Sequence, residues 1–412
     1  MPRIPPELCA KCKGYKRLCG LPRCPILDMF RGQLQASLKL SGNLARGDTP
    51  PGALVGESGY PKVNLYFLIP PGEHGDNARF YDDPIIWEEK RVPLSQIIRL
   101  RSGMVAGRLA LDAKNPFSLY ESEVALAVVS ERPVSSEALL AKPPLPRLRF
   151  HGITKPLGPV APAEKVVIDG SPRVPRRLEM LIWDDASARD AVWEAYRSGI
   201  DIYTIQRAFS LGMMGRLKRR RLVPTRWSIT AVDELLSGVI REHIRVNPPV
   251  DNVEVYHNTY LGNKFTVILL PGPGSIEWVE VWHPNTIWTR GSSKPVVYSL
   301  YEDPLGKKTM EDGGYSAAKI AVLEHLWKRG RTADIVIIRE ILPSYYAPIG
   351  NWHIRETVRR ALGSGPVASF SSIQEAKSLV DRLVSREYRD LIYSRTGLLG
   401  YKRKTTRLTD YF

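Results

Sequence analysis

Hydrophobic and polar positions in the middle of the chain recur at helical spacing. Two helices are predicted where acidic residues open apolar-periodic segments at Asp184 and Asp201, the first of them ending at Gly199. Thr230 and Asp233 have the spacing of a capping box, followed by one apolar face. This pattern predicts that a third helix begins at Thr230.

The segments that follow alternate with a period of two or are apolar throughout, as is typical of strands. Residues 252–270 predict a hairpin that turns at Gly262-Asn263. Further strands are predicted at 275–284, 295–303 and 334–341, and helices at 314–330, 352–362 and 372–392. With no internal repeat, this mixture predicts an α+β fold with a mainly antiparallel sheet and flanking helices.

The N-terminal part predicts a short amphipathic helix after Cys24 and a strand at Val63–Ile69. Eight prolines then lie between residues 143 and 175. Because proline has no amide hydrogen and a fixed φ, this segment predicts a long extended crossing or a subdomain boundary.

The charge of the chain points to a polyanionic partner. Lys and Arg total 59 against 43 Asp and Glu, which gives a net charge of +16. Such a surplus favours nucleic acid as the partner, although a soluble enzyme from a basic proteome is the alternative.

The surplus is concentrated between residues 202 and 232, a stretch with seven basic residues and no acidic one. A positive loop between two helices is suited to contacting phosphates. The predicted DNA contacts are Arg216, Lys218, Arg219, Arg220 and Arg221. A solvated basic turn is the alternative interpretation.

The sequence also predicts a location. The N-terminus lacks the apolar core of a secretory signal, and no apolar segment is long enough to span a bilayer. We therefore expect a cytoplasmic protein without membrane contact, associated with the nucleoid if it binds DNA. The chain has only five Gln residues, which favours a thermophilic source.

Four cysteines, Cys9, Cys12, Cys19 and Cys24, lie within one short segment. Four thiolates form a closed tetrahedral zinc site, and a segment this short needs a metal to fold. The pattern therefore predicts a zinc-binding module over residues 1–30. An iron–sulfur cluster, two disulfides or four unconnected cysteines are the alternatives.

Sequence motifs for catalysis are scarce: there is no P-loop, no H-E-x-x-H and no G-x-S-x-G. Polar residues do interrupt apolar strands in the second half, where they must be satisfied or used. The candidate catalytic residues are Arg226, Ser228, Glu280, His283, Glu311, Arg339 and Glu340. Internal ion pairs are the alternative, and convergence of these side chains in one cleft beside residues 216–226 would favour catalysis.

Several stretches carry a resemblance to a known family. They are "CAKCKGYKRLCGLPRCP", "RRLVPTRWSITAVDE", "NKFTVILLPG", "IEWVEVWHP", "DGGYSAAKIAVLEHL" and "IIREILPSYYAPIGNWHIRETVR". Together they resemble the archaeal Nre family of DNA repair proteins over nearly the whole chain. The resemblance implies an N-terminal Nre domain over residues 31–290 and a C-terminal Nre domain over 291–404.

The family resemblance also implies a role in the response to DNA damage and an interaction with the sliding clamp PCNA. The contact would be a peptide at residues 405–412, in which Leu408, Tyr411 and Phe412 match the clamp-binding pattern. Thr405 stands where that pattern has Gln. Two functions therefore remain open: a DNA-binding repair factor held at the clamp, and an enzyme that processes nucleotides or DNA ends, such as a nuclease, a phosphodiesterase or a nucleotidyl or ADP-ribosyl transferase.

Overall fold

The computed structural model of the chain describes residues 6–146, 155–289, 292–310 and 312–400. Among these residues, no helix combines the length and the apolar character needed to cross a membrane.

The elements of the first part of the chain, in order, are α1 (Pro6–Cys12), α2 (Pro25–Leu38), β1 (Leu44–Thr49), β2 (Ala53–Val55), β3 (Lys62–Ile69), α3 (Gly75–Arg79), α4 (Pro84–Glu89), α5 (Leu94–Ser102), β4 (Val105–Asp112), α6 (Phe117–Glu121), α7 (Val124–Val128), β5 (Val134–Leu140), β6 (Val160–Ile168), α8 (Arg176–Trp183), α9 (Ala188–Arg197), α10 (Ile202–Ser210) and α11 (Thr225–Ile244). A 3-10 turn at Leu217–Arg219 lies between α10 and α11.

The elements of the second part are β7 (Val253–Tyr260), β8 (Asn263–Leu270), β9 (Ile276–Trp282), β10 (Val296–Glu302), α12 (Gly313–Arg329), β11 (Asp334–Ile341), α13 (Trp352–Gly363), β12 (Ala368–Phe370), α14 (Ile373–Leu383) and α15 (Arg389–Tyr393). A second 3-10 turn, Arg386–Tyr388, precedes α15.

The chain forms two compact units that are not contiguous in sequence. The N-terminal unit comprises Arg23–Val239 and a short return segment, Ala347–Trp352. The C-terminal unit comprises Ile240–Tyr346 and the described residues from His353 to Gly400, together with residues 6–22.

The N-terminal unit is built on a six-stranded sheet of order β1-β5-β6-β4-β3-β2. The sequence of β3 explains why it forms a strand. Val63, Leu65 and Phe67 are buried and the residues between them are less so, as expected for a strand with one face in the core. It pairs antiparallel with β4, whereas β4 and β6 are parallel. Strand β6 occupies part of the proline-rich stretch, which confirms an extended conformation there.

The C-terminal unit contains a second six-stranded sheet, of order β10-β9-β11-β8-β7-β12. Strands β9 and β11 are parallel, so this sheet is mixed as well. The prediction of a mainly antiparallel sheet is therefore corrected. A parallel pair needs a crossover connection, and the chain supplies one through β10 and α12. The apolar strands 276–282 and 334–341 are buried on both faces, as covered sheets require.

The two faces of the C-terminal sheet differ in chemistry. One face forms an apolar core in which Val279, Val281 and Ile338 pack with Leu379 and Val380 of α14. The opposite face carries the alternate residues, among them Glu280 and Arg339, and is covered by side chains of α12 and α13. The polar residues of interest therefore stand on a defined side of the sheet.

Helix α11 begins earlier than the capping box predicts. It starts at Thr225, and the amides of Trp227 and Ser228 bond to the Pro224 carbonyl. Thr230 therefore lies inside the helix. The Asp233 carboxylate is buried and accepts a 2.9 Å bond from the side chain of Gln206, so it serves a tertiary contact and not a cap.

Candidate functional site

The predicted DNA-binding residues form part of the loop between α10 and α11. Arg216, Lys218 and Arg219 are exposed, and Arg221 is partly exposed. Lys218, Arg219 and Arg221 form no ion pair with a carboxylate within the described ranges. Arg216 differs, because its guanidinium donates to the Asp185 carbonyl at 2.7 Å and lies 3.5 Å from that residue's carboxylate.

Arg220 does not share this exposure. Its side chain is only 3% exposed, and its guanidinium donates to backbone carbonyls at Gly215 (2.8 Å), Leu181 (3.2 Å), Asp184 (2.6 Å) and Ile182. The guanidinium N–H groups of Arg220 are therefore hydrogen-bonded inside the protein. Arg220 therefore anchors the loop from beneath and is not available to a phosphate.

The loop is also fixed at its first turn. The Leu217 amide donates to the Asp185 carboxylate at 2.6 Å, and this bond lowers the pKa of Asp185. The carboxylate therefore stays ionised and holds the 3-10 turn in place. The exposed cationic side chains thus project from an ordered backbone.

Two predicted catalytic residues belong to the start of α11. The Arg226 side chain is 69% exposed and its guanidinium lies 3.8 Å from the Glu57 carboxylate. The Ser228 hydroxyl is buried and donates to the carbonyls of Gln206 (3.1 Å) and Thr225 (3.0 Å). The Ser228 hydroxyl therefore fixes the helix, whereas Arg226 faces solvent.

Glu280 and Arg339 meet on the polar face of the C-terminal sheet, where the register places them side by side. The Arg339 guanidinium donates to the Glu280 carboxylate at 2.5 Å and to the Asn263 side-chain oxygen at 2.7 Å, and it lies 3.3 Å from His353 Nε2. Burial raises the pKa of Glu280, and the neighbouring guanidinium opposes that rise.

Aromatic rings adjoin this ion pair. The Trp282 indole N–H donates to the Glu280 carboxylate at 3.0 Å. The ring centroids of Trp282 and Trp288 are 4.8 Å apart. Trp288 stacks on Tyr345 with ring centroids 5.4 Å apart, and the ring centroids of Tyr345 and His353 are 4.9 Å apart. The result is a buried cluster in which the charged groups are hydrogen-bonded and walled by rings.

Glu340 and His283 lie on the opposite, α14-facing side of the sheet. The Glu340 carboxylate accepts bonds from His283 Nε2 at 3.0 Å and the Ser385 amide at 3.1 Å, and it pairs with Lys264 at 2.9 Å. Burial alone would raise the pKa of Glu340, but these three donors outweigh it and lower the pKa to about 2.

The predicted catalytic residues are thus arranged as separate local contacts. Glu280 pairs with Arg339 on one face, Glu340 pairs with His283 on the other, and Arg226 faces Glu57 in the N-terminal unit. Glu311 lies outside the described residues. Within the C-terminal unit, Glu280–Arg339 and His283–Glu340 are two separate ion pairs on opposite faces of the sheet, as the ion-pair interpretation expects for these four residues.

Cys9, Cys12, Cys19 and Cys24 form no disulfide. The chemistry of Cys12 suits a metal ligand, because the backbone amide of Leu18, with help from Gly14, lowers the pKa of its thiol despite burial. In the described part of the chain, however, no three His, Cys, Asp or Glu side chains are gathered closely enough to hold a metal ion. The donor type therefore fits zinc, whereas the geometry of a closed site is not formed.

A cavity of about 440 Å³ in the N-terminal unit was not predicted from the sequence. Its lining includes the basic residues Arg79, Arg176, Arg177 and Arg207 and the acidic residues Asp82, Asp83, Glu131 and Asp201. These residues come from separate segments of the sequence, so no local motif predicts the cavity. The cavity's charges balance, and by themselves they do not indicate one class of ligand.

The predicted clamp-binding residues Thr405, Leu408, Tyr411 and Phe412 lie outside the described residues. What the fold and the loop define is a basic α+β protein of two units that interleave in sequence, with an ordered cationic surface on one of them. Family comparison makes this class specific.

The chain belongs to the archaeal Nre family. The family model for "Archaeal Nre, N-terminal" matches residues 18–289, and the model for "Archaeal Nre, C-terminal" matches residues 302–411. This confirms the resemblance found in the sequence.

Curated relatives agree with this assignment. The chain is 33% identical to DNA repair protein NreA of Archaeoglobus fulgidus, over 95% of this chain and 98% of that protein. It is 34% identical to DNA repair protein NreB of the same organism (91% and 92%) and 32% identical to DNA repair protein NreA of Haloferax volcanii (85% of each). No solved structure matches the chain significantly.

Proposed function

We propose that this chain is a DNA repair protein that binds DNA through the loop between α10 and α11 and is recruited to the sliding clamp PCNA by residues 405–412. The repair role rests on relatives that are named DNA repair protein and that this chain matches over most of their length. The DNA contact rests on the loop.

The observation that supports DNA binding is a set of surface cations that pair with no carboxylate of the described residues. Lys218, Arg219 and Arg221 reach the surface without an ion pair among the described residues, and no acidic residue occurs between positions 202 and 232. Phosphates release condensed counterions when they meet such side chains, and this release drives binding. Because Arg220 and Asp185 already hold the backbone of the loop, the loop loses little conformational entropy when DNA binds.

The test is a triple reversal, Lys218→Glu, Arg219→Glu and Arg221→Glu, which leaves the buried Arg220 intact. DNA affinity is measured by fluorescence anisotropy at several salt concentrations. The slope of log K against log salt is expected to become shallower by about 0.9 for each phosphate that the variant no longer neutralises.

A charge-matched control separates location from net charge. Lys328, Arg382 and Arg386 are exposed on the C-terminal unit. Reversing these three to Glu changes the net charge equally. If both triple variants lose affinity to the same extent, or if neither does, the loop is not the DNA contact.

For the clamp, the proposal rests on the match of Leu408, Tyr411 and Phe412 to the clamp-binding pattern. Three apolar side chains spaced by three and four residues share one side of a helical turn and fill one groove. Replacing all three by Ala should abolish binding to purified PCNA in calorimetry while leaving the melting temperature unchanged. A large fall in melting temperature with PCNA binding intact would assign these side chains to the core.

A gain-of-function variant sharpens the clamp test. Thr405 occupies the position where the pattern has Gln. Thr405→Gln should therefore tighten PCNA binding, whereas an unchanged affinity would show that the pattern does not describe the contact.

We also propose that Cys9, Cys12, Cys19 and Cys24 bind one zinc ion. Their spacing and the lowered pKa of the Cys12 thiol support this, because the thiolate is the form that ligates zinc.

A further inference from the structure

Two large aromatic side chains lie together on the surface of the N-terminal unit. Tyr60 is 48% exposed and Trp227 is 50% exposed, and their ring centroids are 6.5 Å apart with an interplanar angle of 37°. Single exposed rings are common, whereas these two come from segments distant in sequence and lie side by side.

Hydrogen bonds hold the backbone segments that lie next to the two rings. The Val55 amide, at the end of β2, donates to the Thr225 hydroxyl at 2.8 Å, which ties the strand before the turn that carries Tyr60 to the start of α11. The neighbouring Ser228 is buried and bonded to two carbonyls, so Trp227 is held at the surface by a fixed helical turn. A rigid ring loses little conformational entropy when a ligand covers it.

The surroundings of the pair are cationic. Arg226 precedes Trp227 and is 69% exposed, and Lys62 is exposed two residues after Tyr60. The Glu57 carboxylate lies 3.8 Å from the Arg226 guanidinium, too far for a hydrogen bond, so Arg226 keeps donors for another acceptor. A matching ligand has a flat apolar ring and an attached anion, which describes a nucleotide.

We propose that Tyr60 and Trp227 form a stacking platform for an unpaired base of DNA, with Arg226 contacting the adjacent phosphate. This inference rests on the proposed DNA binding and specifies its substrate. In a duplex, both faces of each base are covered by neighbouring bases, whereas a single strand or an opened site exposes them. The platform therefore selects unpaired DNA.

The experiment compares Trp227→Ala with the wild-type protein on a fluorescein-labelled oligothymidine and on a duplex of the same length. Stacking on one aromatic side chain contributes about 5- to 150-fold in affinity. We expect single-strand affinity to fall within that range and duplex affinity to change less than about twofold. The salt slope should remain that of the wild type, because no phosphate contact is removed.

Three variants complete the design. Tyr60→Ala should weaken single-strand binding as Trp227→Ala does, whereas Trp227→Phe keeps a ring and should retain most affinity. Trp227→Phe should also lose part of the tryptophan fluorescence quenching that oligothymidine causes in the wild type. Trp183, 66% exposed on the same unit, supplies the matched control, and Trp183→Ala should bind as the wild type does.

The outcomes distinguish the two proposals. If Trp227→Ala binds oligothymidine as tightly as the wild type while the Lys218, Arg219 and Arg221 reversal loses binding, the platform is wrong and the loop contact stands. Equal losses on single-stranded and duplex DNA would also overturn the platform. If the wild-type protein binds neither DNA, both proposals fail. Circular dichroism of each variant verifies that folding is unchanged.

Discussion

Glu340→Gln tests whether this carboxylate is structural. The substitution keeps the size and one acceptor of the side chain, so the Ser385 amide can still be bonded. It removes the negative charge that faces Lys264 at 2.9 Å and His283 at 3.0 Å. The change in the free energy of unfolding therefore measures how much the negative charge of Glu340 stabilises the protein.

The magnitude follows from the pKa of Glu340. Its donors lower the pKa from 4.5 to about 2 in the folded protein. A tenfold change in proton affinity corresponds to about 1.4 kcal/mol, so the ionised carboxylate stabilises the folded state by about 3 kcal/mol at neutral pH. A folded pKa below the unfolded one means that this stability is complete above pH 4.5 and is lost as the pH falls toward 2.

The assay is urea denaturation followed by circular dichroism at several pH values, since urea does not screen charge as guanidinium does. We expect Glu340→Gln to be less stable than the wild type by about 3 kcal/mol at neutral pH and by roughly half of that near pH 3. Asp251→Asn is the matched control, because it breaks an exposed ion pair with Arg331 and should cost less than about 1 kcal/mol.

Two results would refute this reasoning. A difference that is the same at neutral pH and near pH 3 would show that shape, not charge, is responsible. A variant that keeps its stability at neutral pH but loses a DNA-linked activity would make Glu340 a functional group.

Other variants test single structural roles. Glu302→Gln leaves the buried Lys319 and the partly buried Arg241 without their carboxylate, which lies 3.0 and 2.6 Å away, and should destabilise the protein by about 3–5 kcal/mol in urea denaturation. Asp201→Ala removes the N-cap of α10 and should cost about 1 kcal/mol by the same measurement. Cys12→Ser should abolish zinc in elemental analysis of the purified protein while the rest of the chain stays folded. A wild-type protein that binds no zinc under reducing conditions would contradict the metal proposal.

The elements that local chemistry specifies were predictable. The β7–β8 hairpin turns at Leu261 and Gly262, whose positive φ values of 50° and 73° are those of a two-residue hairpin turn, one residue before the predicted position. Helix α12 ends at Arg329 and is capped by Gly330, as its sequence indicates, because glycine adopts the left-handed conformation there at φ 63°.

What the sequence left open depends on distant partners. Charge alone cannot distinguish Arg220 from Arg219, yet carbonyls of α8 and its neighbours bury the first and leave the second in solvent. Likewise, Glu280 and Glu340 both interrupt apolar strands, and only the sheet register assigns them to opposite faces. Tyr60 and Trp227 become neighbours solely through folding.

The return of residues 347–352 to the N-terminal unit has a consequence for how the chain folds during synthesis. Trp352 packs against the fully buried Trp87, with ring centroids 5.3 Å apart. A ribosome that has delivered the first 346 residues has therefore not yet supplied a piece of that unit's core. Until residues 347–352 have been synthesised, Trp87 lacks the aromatic ring that packs on it, and a nascent chain with an incompletely covered apolar core is a target for chaperones. A chain truncated near residue 290 would lack this part of the core permanently.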